Sequence, residues 1–132
     1  MEKITVTTGS KFEMTDITNQ IRKILKERKI KSGICHIFTP HTTAAITINE
    51  NADPNVPRDI IMELNKIIPP NDNYSHIEGN SAAHIKSSLI GASETVFIED
   101  GKLILGTWQS IFFCEFDGPR TRKVNVKFYN NK

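Results

Sequence analysis

The sequence predicts an α+β fold: a mostly antiparallel, β-sandwich-like sheet carrying two to three helices. Three observations predict it. Short strand-like segments open and close the chain. Longer segments between them repeat apolar residues at the helical interval and carry helix start and stop signals. One late segment, WQSIFFCEF, is apolar on both faces, with Trp108, Phe112, Cys114 and Phe116 on one side and Ile111 and Phe113 on the other. Such a strand must be covered twice, by a helix layer, a second sheet or another subunit.

The elements follow in order. In residues 3–8, KITVTT, Ile4 and Val6 share one face of a half-buried strand. A helix over residues 16–30 is capped by Thr15 or Asp16, and Ile17, Ile21, Ile24 and Leu25 form its apolar stripe. Its basic run (Arg22, Lys23, Lys26, Lys29, Lys31) has no interleaved aromatic residue and reads as a solvated face rather than an RNA-binding patch. Residues 33–39 and 44–50 are two further strands, joined through Pro40-His41-Thr42-Thr43. A second helix starts at Asp53 or Asn55, uses Pro54 or Pro57 in its first turn and stops at Pro69-Pro70. A loop through NDNYSHIEGN leads to a short helix capped by Asn80 or Ser81 and ended by Gly91. TVFIE, KLILG, WQSIFFCEF and KVNVKFY then supply strands, the last with Val124, Val126 and Phe128 alternating against Lys123, Asn125 and Lys127.

At 132 residues the chain is expected to form one domain, residues 1–132. Its 17 basic and 15 acidic residues leave a formal charge of +2, too weak to suggest a nucleic-acid partner. Cys35 and Cys114 form no CxxC pair and read as reduced, buried thiols. The opening carries no signal-peptide pattern and no apolar stretch approaches the roughly 18 residues of a membrane span. The expectation is a cytoplasmic protein with no membrane or nucleic-acid partner.

Candidate chemistry starts with histidine. His41 lies in PHTTA between two strands, and His76 and His84 flank HIEGNSAAH, where small neighbours leave room at the rings. Neutral imidazoles suit zinc, and three of them leave a tetrahedral ion one open position, as catalytic sites require. No short spacing links the three, so a metal site stands level with three unrelated polar histidines. His36, on the face of Ile34 and Phe38, reads as a packed strand residue. Glu50 and Glu115 each end an otherwise apolar row, so each needs a partner. Either could be a general base or orient a ligand; a structural pair with an arginine is the alternative. Asp53 reads as a helix cap. Arg120 and Arg122, beyond the DGPR turn, could clamp a phosphate in bidentate geometry, the surface or interface alternative weighing more on Arg122. The glycine-rich phosphate loop and the nucleophile elbow are both absent from the sequence.

The succession of PHTTAAITINENADP, HIEGNSAAHIKSSLIG and GKLILGTWQSIFFCEFDGPR resembles the YjbQ-like family, small proteins often labelled secondary thiamine-phosphate synthases. GTWQ followed by E-x-DGPR is its most specific part, and the resemblance spans nearly the whole chain. It implies a sandwich-like α+β fold assembled as a homotrimer, and a histidine cluster mapping onto His41, His76 and His84. The implied activity is weak: a hydroxymethylpyrimidine diphosphate joins a thiazole phosphate, giving thiamine phosphate and pyrophosphate.

The resulting expectation is a metal-dependent transferase acting on a small phosphorylated substrate. His41, His76 and His84 hold a divalent ion, zinc first; Glu50 or Glu115 handles a proton; Arg120 takes negative charge. Two other classes fit the same residues: a non-catalytic trimeric module that binds a ligand or metal, and a metal-dependent phosphoester hydrolase.

Overall fold

Two antiparallel sheets face each other in the structure, a computed structural model that describes residues 1–131. The larger is built from β1 (Glu2–Thr7), β8 (Thr121–Asn130), β3 (Gly33–Phe38), β5 (Ser93–Glu99) and β6 (Lys102–Leu103), side by side in that order. The smaller runs β2 (Glu13–Asp16), β7 (Gln109–Glu115), β4 (Ala44–Glu50). Three helices, α1 (Thr18–Arg28), α2 (Asn55–Ile67) and α3 (Ser81–Ile90), complete the expected α+β architecture.

The two-faced strand β7 sits at the centre of the smaller sheet and is covered twice. Ile111 and Phe113 point into the main core, against Val124 and Val126 of β8, Cys35 and Ile37 of β3, and the α1 stripe Ile17, Ile21 and Leu25. Phe112, Cys114 and Phe116 point the other way, into a second core with Leu64 of α2 and Ala83 of α3. A second sheet and a helix layer thus provide the two covers. Each fully buried phenylalanine contributes about 1.5–3 kcal/mol by leaving water, and Phe112 and Phe113 are 1% and 0% exposed. Trp108 precedes the strand and remains exposed.

Local differences from the sequence reading have local causes. The strand β2 was not anticipated; its EMTD is short, largely polar, and held by pairing with β7. It displaces the start of α1 to Thr18. Asp16 ends the strand, and its Oδ1 accepts the Thr18 backbone N–H at 2.9 Å and the Thr18 hydroxyl at 2.6 Å. The KLILG segment contributes only the two residues of β6. His36 does share a face with Ile34 and Phe38, but that face is the outer side of the larger sheet. There the His36 ring bonds Thr95 Oγ1 at 2.9 Å. The α3 bounds match expectation, Asn80 at the N-cap and Gly91 at the C-cap. No helix of the described residues is long and apolar enough to cross a membrane.

Candidate functional site

At the end of the sandwich where β3 hands over to β4, three separate stretches of chain meet. The β3–β4 connection brings Pro40 to Thr43, the loop before α3 brings Glu78 and Asn80, and α3 itself brings His84. The β7–β8 turn and the start of β8 bring Asp117, Arg120 and Arg122. Together they line a polar cavity of about 340 Å³. His84 is shared with a neighbouring hollow of about 410 Å³, lined also by Tyr74, Ser75, His76, Ser81 and Ile85.

On the inner wall Arg122 closes a charge pair with Glu115 behind it. Glu115 and Arg122 are 0% and 4% exposed. Arg122 Nε donates to Glu115 Oε1 at 2.8 Å, and its Nη2 donates to Glu115 Oε2 and, at 2.9 Å, to Thr43 Oγ1. The Thr8 hydroxyl donates to Glu115 Oε1 at 2.8 Å, and the Asp117 N–H to Oε2 at 3.1 Å. Burial alone would raise the Glu115 carboxyl. The bonds from Arg122, Thr8 and Asp117, with the Arg122 charge, hold it below the usual carboxylate range. A carboxylate so occupied is a poor general base, and the alternative of a structural pair with arginine is the one found here. Arg122 is correspondingly buried, not a surface arginine. The signal was parity: Arg122 shares the inward side of β8 with Val124 and Val126, as Glu115 shares that of β7 with Ile111 and Phe113.

The DGPR turn packs hard against the start of the chain. A Cβ at Gly118 would lie 2.3 Å from the Ser10 carbonyl oxygen and 2.8 Å from Glu115 Cγ, so only glycine fits. The Gly118 N–H donates to the Lys11 carbonyl at 3.0 Å. This seating presents Arg120, whose Nε donates to the Asp117 carbonyl at 2.7 Å and whose Nη2 donates to Asp117 Oδ2 at 3.0 Å. Its guanidinium stays half exposed and keeps free N–H groups, as anion binding requires.

The three histidines divide into a pair and a single. His76 and His84 stand edge to face with ring centroids 5.5 Å apart. Two imidazoles on one tetrahedral ion, with metal–nitrogen bonds of about 2.1 Å, have centroids roughly 5 Å apart, close to this spacing. His41 is otherwise engaged: its Nε2 accepts the Lys123 backbone N–H at 2.9 Å. A neutral ring accepting there carries its proton on Nδ1 and turns a donor, not a lone pair, to other partners. Burial and the Arg122 and Arg120 charges lower its pKa, against an opposing pull from Glu115. Among the described residues no three His, Cys, Asp or Glu side chains converge on one point. The expected trio is therefore brought together only in part.

Glu50 is not brought to the cavity at all. It ends β4, opposite Gln109, six residues past Ala44, a span of about 20 Å along the strand. Its place on an apolar row gave no clue to which end of the strand opens on the cavity. Glu78, Asn80, Asp117 and Thr43 also line the cavity, although their local sequence context marks only a loop, a helix cap, a turn and a strand connection. Asn80 donates Nδ2 to Asp117 Oδ2 at 3.0 Å while its buried Oδ1 has no partner among the described residues. The thiols stay outside this chemistry, because burial pushes Cys35 and Cys114 up to about 12.

Comparison with known proteins places this architecture. The family model of the UPF0047 protein YjbQ-like family matches residues 2–131. The chain belongs to the YjbQ-like family. This YjbQ-like chain is 56% identical to the UPF0047 protein of Methanocaldococcus jannaschii, over 98% of its own length and 94% of the relative's. It is 50% identical to the UPF0047 protein YugU of Bacillus subtilis, covering 96% and 97%. A crystal structure of a YjbQ/UPF0047 protein from Clostridium acetobutylicum superimposes with a TM-score of 0.96 at 52% identity, covering 98% of this chain and 100% of that one. A YbjQ-like protein of unknown function from Sulfolobus solfataricus gives 0.94 at 38% identity, covering 98% and 96%.

Proposed function

We propose that this YjbQ-like chain is a metal-assisted, cytoplasmic enzyme for small phosphorylated substrates, with weak thiamine-phosphate synthase activity as its transfer reaction. One observation carries the reading: a single polar cavity sets His41 and His84 beside Arg120 and Arg122. Guanidinium N–H groups match phosphate oxygens, and a neutral imidazole at the same place adds a donor without adding charge.

The transfer needs little else. The thiazole ring nitrogen forms a bond to the pyrimidine methylene carbon as the carbon–oxygen bond to the diphosphate breaks. The electron pair leaves with pyrophosphate. Negative charge grows on the departing oxygens, where Arg120 and the His41 Nδ1–H would meet it with preorganised donors. The ring nitrogen becomes quaternary, so the step needs no general base, and Glu115, held by Arg122, offers none. His76 and His84 would hold a divalent ion, zinc suiting an imidazole pair. Such an ion would neutralise phosphate charge when bound. A homotrimer fits the outer face of the larger sheet, where Phe38, Phe97 and Tyr129 are 41%, 66% and 51% exposed.

The deciding experiment measures thiamine phosphate formed from the two phosphorylated precursors by zinc-loaded protein, alongside elemental analysis and light scattering. Product above background is expected, with a loss of about 10²-fold in His84→Ala or Arg120→Ala, about one zinc per chain and a trimeric mass. Background activity throughout, with no bound metal, would leave the non-catalytic module as the better reading.

A further inference from the structure

A third cavity lies at the other end of β3 from His41. The end of α1 and the α1–β3 connection form one wall, through Arg22, Lys26, Lys29 and Lys31; the β5–β6 hairpin forms the other, through Asp100, Gly101 and Lys102. Leu25, Ile30 and Leu103 make an aliphatic floor, and the volume is about 490 Å³. We infer that this cavity is a ligand site for a small organic anion with an aliphatic body, of the alkyl-phosphate or acyl-carboxylate kind.

The charge distribution supports this first. Five of the 17 basic side chains and one of the 15 acidic ones surround the cavity, so the remainder of the chain is formally −2. A solvated helix face disperses its cations over a convex surface. Here they are gathered around a hollow and face a second element carrying Lys102. Asp100 can neutralise only one of them, and an anion seated between the walls relieves the mutual repulsion of the others.

The hollow is also preformed. Lys29 ends α1 in the left-handed conformation, φ 56°, with its N–H donated to the Leu25 and Lys26 carbonyls. Asp100 and Gly101, φ 51° and 73°, make the tight two-residue turn that joins Glu99 to Lys102. The Gly101 N–H donates to the Lys31 carbonyl at 2.9 Å and ties one wall to the other. A site whose walls are fixed before binding loses little freedom when it fills. Its volume falls in the usual range for small-molecule sites, roughly 300–1,000 Å³.

The floor sets the ligand class. No aromatic side chain lines the cavity, so it offers no stacking surface for a nucleobase. Leu25, Ile30 and Leu103 suit a short hydrocarbon chain, while the lysines take the charged head.

Isothermal titration of the full chain with hexyl phosphate tests the assignment, with inorganic phosphate and phosphatidylglycerol vesicles as comparison probes. Hexyl phosphate should bind at least about tenfold more tightly than inorganic phosphate, because only it reaches the aliphatic floor. Charge reversal of the exposed pair, Lys29→Glu with Lys102→Glu, should weaken it about tenfold or more, with circular dichroism confirming the fold. Hexyl phosphate binding should survive in Arg120→Ala, where the proposed active site has lost its phosphate contact, and this separates the two sites. Equal affinity for the two phosphates, retention in the charge-reversed chain, loss in Arg120→Ala, or vesicle binding without hexyl phosphate binding would each overturn the assignment.

Discussion

The inner wall and the rim of the histidine cavity are made of the same kinds of residue and behave oppositely. On the inner wall, Glu115 accepts bonds from Arg122, Thr8 and the Asp117 N–H, and Arg122 also reaches Thr43. Their bonding capacity is used within the fold. On the rim, Arg120 keeps free N–H groups, His84 stands edge to face with His76 of the neighbouring hollow, and Asn80 Oδ1 has no partner among the described residues. Saturated charge serves structure, and unspent bonding capacity is what a substrate can use. Residue type alone does not separate the two; burial and bonding do.

The sharpest break of that comparison substitutes the two arginines in turn. Arg122→Ala strands the Glu115 carboxylate in the core and should cost about 3–5 kcal/mol of stability. Arg120→Ala removes a half-exposed pair with Asp117 and should cost under about 1 kcal/mol, while weakening phosphate binding. Urea unfolding of both variants checks the pair of values. Similar losses would show that wall and rim are not distinct.

Acid exposes the wall in a second way. The folded-state pKa of Glu115 lies below its ordinary 4.5. The ionised pair therefore contributes stability that is fully present above about pH 4.5 and lost as the pH falls through the folded value. Stability of the wild-type chain should drop steeply below that pH, and Glu115→Gln should be less stable at neutrality but flatter in acid. Denaturant midpoints between pH 3 and 7 measure both slopes.

His84→Ala sharpens the rim. The ring is only half buried and stands edge to face with His76, so stability should change by less than about 1 kcal/mol. Zinc retention, read by elemental analysis after dialysis, should nonetheless fall from about one per chain toward zero. Full retention would remove the His76–His84 pair as the metal-holding element.

The fold was far more legible than the site because burial leaves a periodic signature and convergence leaves none. WQSIFFCEF announced a doubly covered strand, and Pro69-Pro70 and Gly91 announced helix ends, each through a local stereochemical rule. EMTD carried no such signature, since β2 is held by its neighbour rather than by its own pattern. Glu50 and Glu115 looked equivalent as the ends of apolar rows. Only the sheet order reveals that one faces Arg122 while the other lies at the far end of β4. Arg122 was within reach of the same parity argument that found Val124 and Val126. His41, in contrast, is tied to Lys123 across 82 positions of chain, a bond no local pattern announces.

That bond yields the finest test of the boundary between wall and rim, because His41 belongs to both. Burial and the positive charges of Arg122 and Arg120 lower its pKa from the ordinary 6.5, with Glu115 opposing them. The unfolded chain therefore takes up a proton near pH 6.5 before the folded chain does. Stability is unaffected above that pH and falls as the pH drops below it toward the folded value. The slope should be shallow, since the ring is partly exposed, and His41→Asn should remove it. Nitrogen-15 spectra of the ring should show a neutral Nδ1–H tautomer at pH 7. They should also show a midpoint below 6.5 that moves upward in Arg120→Ala, as one of the two opposing cations is removed. A neutral ring protonated at Nε2 would leave a lone pair free at Nδ1 and return His41 to the rim as a candidate third ligand beside His76 and His84, whereas a midpoint above 6.5 would mean that Glu115 outweighs burial and the arginines.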